Sequence, residues 1–206
     1  MCCRYFYDRS EETLQWIARQ AEESRLVSRF REIAGRDLVC SGEISPAMVV
    51  PVLATSRTGE QRGFPMQWGY RLNDNRMIVN ARSETARDKA MFLQSWQKHR
   101  CAVPASWYYE WEHFTRPDGK KETGRKFSFR PEEGEVTWLC GLYRIEDGLP
   151  RFVILTREPG EALSAIHDRM PLIVPERDVS EWIRPDGNAD EIAGHALTGM
   201  LMEKAG

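Results

Sequence analysis

Cys2 stands directly behind the initiator methionine in MCCRYF, and once Met1 is removed it carries a free α-amine and a thiol on adjacent carbons. Such a residue offers two nucleophiles to one electrophile: the amine attacks a carbonyl carbon and the thiol can then attack the same carbon. Three further stretches place ionisable or amide groups where a strand would be apolar or a turn bland. Asn80 and Arg82 end an apolar run in MIVNARSET, Glu110 lies among aromatics in WYYEWEH, and His167, Asp168 and Arg169 fill a short loop ahead of a strand in AIHDRMPLIV. Each alone has an ordinary structural use: an Asn in a turn, a Glu bonded to an arginine, a His bonded to a backbone carbonyl. With Cys2 they make a different set. It holds a nucleophile, a carboxyl whose pKa an apolar wall would raise, an imidazole that titrates near neutrality, an orienting amide, and arginines (Arg4, Arg82, Arg169) of the kind that hold phosphates.

Periodicity and turn residues predict the elements that must position these groups. Ser10 is expected to cap a long helix carrying Leu14, Ile17, Ala21, Val27, Phe30 and Ile33 and ending near Gly35. A second helix is expected over 85–98 with Ala90, Met91, Leu93 and Trp96 inward, and two more over 175–183, with Pro175 in its first turn, and 190–201. Short β-branched runs (MVVPVLA, MIVN, CAVPA, WYYEW, KFSF, VTWLCGLY, RFVILT, PLIV) predict strands between Gly, Pro and Asp turns. RPDGKKETGRK (116–126) reads as a solvated loop. Many strands with interspersed helices and no regular βαβ alternation give the α+β class. The 206 residues are expected to form a single domain spanning 1–206.

Composition removes several function classes. No apolar run approaches the roughly 20 residues that cross a membrane, so no membrane partner is expected. The first residues lack the pattern of a leader, which makes the cytoplasm the expected compartment. The cysteines at 2, 3, 40, 101 and 140 are odd in number, have no CxxC spacing and meet no clustered histidines; neither a disulfide framework nor a metal site is expected, and no cofactor. Cys101 and Cys140, in RCAVPA and WLCGLY, read as small core residues. The formal net charge of −2 does not suggest a nucleic-acid partner by itself, yet residues 76–130 hold 12 Lys and Arg against 6 Asp and Glu, enough for a local basic face.

MC-R-Y at the start, VNARSET, RCAVPASWYYEW and AIHDRMP, in that order and spacing, resemble the SRAP (SOS response-associated peptidase) family over about residues 1–183. The resemblance implies a bifurcated, mainly antiparallel sheet closing into pseudo-barrels with flanking helices, and a groove for single-stranded DNA. It implies a protein that acts on abasic sites, with Cys2 as nucleophile and Asn80, Glu110 and His167 as the other catalytic residues. By the same motifs Arg4 and Arg169 match phosphate-contacting arginines and Thr156 would lie near the site; Arg82 is expected to meet a phosphate as well, and Trp107 or Trp111 to stack on bases. The chain departs from the family pattern at Cys3, where glycine is usual, at Glu43, where asparagine is common, and after Trp68-Gly69, where the family's Pro/Trp wedge gives way to YRLNDNR.

The implied chemistry suits these residue types. An α-amine with a pKa of about 7.7–8.0 is partly neutral in the cytoplasm and can attack the ring-opened aldehyde of an abasic site. Loss of water then needs a proton donor, and the thiol closes a five-membered thiazolidine in an intramolecular step. Glu110 would shuttle protons at the amine, His167 would protonate the sugar oxygen, and Asn80 would hold the amine in line. The expected partner is single-stranded DNA containing abasic sites, bound by a monomer, with lyase and self-processing peptidase activity as further expectations. Two other classes fit fewer of these residues: a cysteine amidohydrolase with an N-terminal nucleophile, and a non-catalytic single-strand-binding module.

Overall fold

The computed structural model describes residues 3–72, 74, 76–116 and 118–205. Strand β1 (Tyr5–Tyr7) is followed by helices α1 (Glu12–Glu22) and α2 (Leu26–Ala34). The one helix expected between Ser10 and Gly35 is therefore two. Ser24 breaks it, accepting the Leu26 amide with its hydroxyl and the Val27 amide with its carbonyl, a local alternative to helical pairing. Nor does Ser10 cap: its amide donates to Asp8 Oδ1, and Glu11 occupies the N-cap of α1. Gly35 does end α2, at φ 58° in the left-handed region.

The chain continues through β2 (Gly42–Ile44), β3 (Val49–Thr55), β4 (Gln61–Trp68), β5 (Tyr70–Arg71), β6 (Met77–Ile78) and β7 (Asn80–Arg82). Helices α3 (Ser83–Ala86) and α4 (Ala90–Lys98) come next. Strands β8 (Arg100–Ala105), β9 (Trp107–Thr115), β10 (Lys121–Pro131), β11 (Thr137–Glu146) and β12 (Leu149–Arg157) then run almost without interruption. After α5 (Glu161–Ser164) and β13 (Met170–Pro171), α6 (Glu176–Ile183) and α7 (Ala189–Gly194) lead to β14 (Met200–Lys204).

Two sheets organise this α+β fold. One is antiparallel, in the order β14-β10-β9-β1-β2. The other runs β11-β8-β3-β4-β12, and β12 also pairs with β11, so these five strands close into a barrel. The first half of β12 lies in the barrel, against β4 at Arg151 and Phe152. Its second half leaves β4 and takes β7 instead, in parallel, with Ile154 beside Asn80 and Thr156 beside Arg82, while β13 pairs at Thr156 and Arg157. The barrel splits open at that point. One hydrophobic core links both sheets, running from Tyr5 and Tyr108 to Trp68, Phe152 and Trp182.

Several expected elements changed. The helix over 85–98 divides into α3 and α4. Its buried face is Phe92, Ser95 and Trp96, while Met91 and Leu93 are 39% exposed, because Trp96 meets Trp182 edge-on at 5.9 Å and Phe92 meets Tyr70. The helix over 190–201 stops at Gly194, and Met200–Lys204 instead pairs along Phe127–Pro131 of β10, satisfying an edge that would stay open. Most of 116–126 is not a loop: Lys121 onward pairs with β9, and Arg125 donates three hydrogen bonds to the Glu112 carboxylate. Strand β4 lacks a continuous apolar run because of Gly63 and Pro65. Gly63 is needed there, since a Cβ would lie 2.3 Å from the Ile17 carbonyl oxygen of α1. Cys101 and Cys140 are fully buried, as expected, and burial pushes both thiols up.

One buried charge ties the helices to the barrel. Arg100, 3% exposed, donates to the carbonyls of Trp96, Gln97, Trp182, Arg184 and Gly187, so backbone oxygens rather than a carboxylate accommodate its cation.

Candidate functional site

The groups singled out in the sequence fall on three structural units around the place where the barrel splits. The first is the β7–β12 wall. Alternation along β7 buries Ala81 and leaves Asn80 half-buried and Arg82 exposed beside Thr156. Thr156 is fully buried, and its carbonyl accepts from Arg169 Nη2 at 2.7 Å and from the Ser83 hydroxyl at 3.1 Å. Arg169 also forms a bidentate pair with Glu84 at 2.9 and 2.8 Å. Burial alone would raise the Glu84 carboxyl, but its bonds to Arg169 bring the net shift below the ordinary value. Arg169 thus clamps α3 and β12 onto the loop before β13.

The second unit is that loop. The His167 side chain is 10% exposed and Asp168 is 85% exposed. His167 Nδ1 lies 3.0 Å from the Arg169 amide and 2.8 Å from Asp168 Oδ1, and it cannot serve both. A neutral ring accepts from the amide and carries its proton on Nε2; a cationic ring donates to Asp168. Burial lowers the pKa of His167, which favours the neutral form, with Asp168 opposing and His113 adding to the shift.

The third unit is the sheet edge formed by β1, β2, β9 and β10. Tyr5 pairs with Tyr108, and the Tyr109 amide donates to the Arg4 carbonyl at 2.9 Å, so the segment leading into β1 runs along β9 toward Glu110. Glu110 is 1% exposed, and burial pushes its carboxyl up to about 7, with the Asp168 charge adding. That influence places the His167–Asp168 loop within electrostatic reach of Glu110. The Cys3 thiol is pushed up by burial and then by Glu110, consistent with the same approach. Cys2, the expected nucleophile, lies outside the described residues, as does Met1.

Arg4 and Trp111 occupy the other face of this edge. Glu43 Oε1 is 3.1 Å from Arg4 Nε, and its Oε2 accepts from Lys126 Nζ at 2.6 Å. Lys126 Nζ also sits over the Tyr109 ring at 3.7 Å and over Trp111, which is half-buried, at 5.4 Å. Aromatic rings, Lys126 and Glu43 therefore share one surface beside the site.

Sequence reasoning missed His113, Lys126 and Glu84 as members of this region. His113 meets His167 edge to face, with centroids 5.1 Å apart at 78°. Strict alternation puts residues 110 and 113 on opposite faces, but a register shift between Thr123 and Lys126 bends the hairpin next to Glu112. Only the surplus Gly124 in TGRK hinted at that bulge. Glu84 could have been found as the one acid of ARSET, close behind Arg82. Among the described residues no group of three or more His, Cys, Asp or Glu side chains could hold a metal ion.

The family model described as SOS response associated peptidase (SRAP) matches residues 1–204. The chain belongs to the SRAP family. It is 28% identical over 211 residues to the abasic site processing protein YedK of Escherichia coli (strain K12), covering 98% of this chain and 87% of that protein. It is 30% identical over 138 residues to the abasic site processing protein YoqW of Bacillus subtilis (strain 168), covering 64% of this chain; that match spans 59% of YoqW. A solved structure from Bacteroides thetaiotaomicron superposes with a TM-score of 0.71 at 21% identity, over 98% of this chain and 91% of the other. A phage-related protein of Bordetella bronchiseptica gives 0.68 at 20%, over 99% and 94%. At that identity the structural likeness carries the SRAP fold alone. No helix among the described residues is long and apolar enough to cross a membrane.

Proposed function

We propose that this SRAP protein captures abasic sites in single-stranded DNA by forming a thiazolidine crosslink through Cys2 once Met1 is removed. The observation that carries the reading is Glu110: a carboxyl pushed up to about 7 by burial, beside the segment that leads to the N-terminus. Condensing an amine with an aldehyde requires a group that both takes and returns protons near neutral pH. The α-amine of Cys2 adds to the aldehyde carbon, and Glu110 moves the proton from nitrogen to the carbinolamine oxygen, which leaves as water. The thiol sulfur then adds to the imine carbon, and its proton passes to the ring nitrogen. Asn80 orients the amine. As the sugar ring opens, cationic His167, its Nδ1 proton held by Asp168, gives its Nε2 proton to the ring oxygen and takes back the proton of the C1 hydroxyl, so the C1–O4′ bond breaks and the aldehyde forms. An imine that does not cyclise undergoes β-elimination, which makes strand cleavage a side reaction.

DNA would lie across the exposed Arg82 and the Trp111–Lys126 surface, where phosphate contact and ring stacking give sequence-tolerant binding. Arg4 and Arg169 enter this reading differently: each faces a carboxylate, and Arg169 serves more as the clamp of the site than as a phosphate ligand.

The test is a denaturing gel of the protein mixed with an abasic single-stranded oligonucleotide. The wild-type protein should give a shifted band without reductant. Cys2→Ser keeps the amine and loses the thiol, so it should give little stable crosslink alone, a clear one with borohydride, and relatively more cleaved strand. A stable unreduced crosslink equal to wild type would overturn the thiazolidine mechanism.

A further inference from the structure

At the end of β12 remote from Thr156, the strand ends of the barrel leave a cavity of 430 Å³ whose walls come from Leu26, Phe64, Ile145 and Pro150. Arg29 and Arg57 stand at its rim, and its lining contains no carboxylate. Both arginines are exposed, and neither makes a hydrogen bond or ion pair among the described residues. The acids of the adjoining hairpin are engaged elsewhere, Glu146 with Arg144 and Arg151 and Asp147 with Arg71, and among the described residues Glu32 and Glu60, three positions after Arg29 and Arg57, form no ion pair with them. Ile145 is 59% exposed at the edge of this mouth. The Asp147–Gly148 turn, with φ of 52° and 75°, brings the hairpin against Arg29, and a Cβ at Gly148 would lie 2.6 Å from Arg29 Nη2.

The geometry points to this mouth as a docking site for an acidic segment of a partner protein, one large apolar side chain entering the cavity and adjacent carboxylates meeting Arg29 and Arg57. An anion alone would leave the apolar walls wet, and an apolar chain alone would leave two cations without counter-charge. A nucleic-acid strand fits less well. Stacking a base needs an open ring face, yet Arg62 lies over Phe64 at 6.0 Å and Tyr143 packs against His99 at 5.1 Å. This function is separate from lesion chemistry, since the residues lie at the opposite end of β12.

The probe is a fluorescent peptide, Asp-Asp-Leu-Phe-Asp-Asp, with Lys-Lys-Leu-Phe-Lys-Lys as control, titrated by anisotropy against the full chain. The acidic peptide should bind and the basic one should not. Arg29→Glu with Arg57→Glu, and separately Ile145→Asp, should each weaken binding about tenfold or more while leaving the abasic-DNA crosslink unchanged. No binding of the acidic peptide up to about 1 mM, equal binding of the basic peptide, or indifference to both sets of substitutions would overturn the inference. So would displacement of the peptide by an undamaged single-stranded oligonucleotide, which would make the mouth a nucleic-acid surface.

Discussion

Replacing Glu110 by Gln should stabilise this protein above neutral pH while slowing its chemistry. Burial holds the Glu110 carboxyl at about 7 against an ordinary 4.5. The unfolded chain therefore releases this proton near the lower value, and the folded chain keeps it to the higher one. A carboxyl raised on folding contributes stability that is complete below the unfolded pKa and is lost as pH rises through the folded one. A separation of about 2.5 pH units corresponds to about 3 kcal/mol. Gln has no proton to lose, so the variant keeps what the wild type forfeits. Urea unfolding of both proteins at pH about 4 and about 8.5 gives the comparison: the difference should be near zero at the acid end and should favour Gln by about 3 kcal/mol at the basic end. Crosslinking by the same variant should slow about 10²- to 10⁴-fold with DNA binding retained. A stability difference independent of pH, or one that grows in favour of wild type, would show that the site pairs the Glu110 charge rather than suppressing it, and the proton-shuttle role would fall with it.

Three other outcomes test separate parts of the structure. Glu43→Gln should free Arg4 and Lys126 for phosphates, tightening single-stranded DNA binding several-fold and steepening the log-log salt dependence by about 0.7 for each phosphate gained; equal affinity and slope would remove this surface from the DNA path. Cys3→Gly should leave crosslinking intact or improve it, since Cys3 has no free α-amine with which to close the ring; loss of the crosslink in Cys3→Gly but not in Cys2→Ala would reassign the nucleophile. Arg100→Met should cost about 3 kcal/mol in chemical denaturation, because five carbonyl oxygens lose one donor; an unchanged midpoint would mean that water replaces the guanidinium there.

What could be read from the chain depended on how local the determining interaction was. Strands β3, β8, β11 and β12 are continuous apolar runs because a closed barrel buries them along most of their length, and such runs stand out in any window. Strand β4 has much the same burial but carries Gly63 for its approach to α1 and Pro65 opposite Pro51, so its pattern looks like a loop. MLMEK reads as the end of a helix on apolar spacing alone. Only the open edge of β10, about 70 residues earlier in the chain, makes it a strand. The Ser10 helix misleads in the opposite sense, since one residue, Ser24, offers its backbone neighbours a better local bond than the helix does.

The candidate site followed the same division. Glu110 was legible because its burial among aromatics is written in WYYEW, and burial is the main cause of its raised pKa. The arginines were legible as cations but not as to what they face. Arg169 meets Glu84, 85 positions away, and Arg4 meets Glu43 on a neighbouring strand, both consequences of sheet topology rather than spacing. The distinction decides what each contributes to DNA binding. The Arg169 guanidinium is itself mostly buried and cannot turn to a phosphate without giving up its bond to the buried Thr156 carbonyl as well as its bidentate hold on Glu84. Arg4 and Glu43 are both more than a third exposed, so water screens their attraction and a phosphate can compete for Arg4 at little cost. Salt dependence of binding should accordingly report Arg82, Lys126 and Arg4, while substitution of Arg169 should register first in folding stability and in the placement of His167.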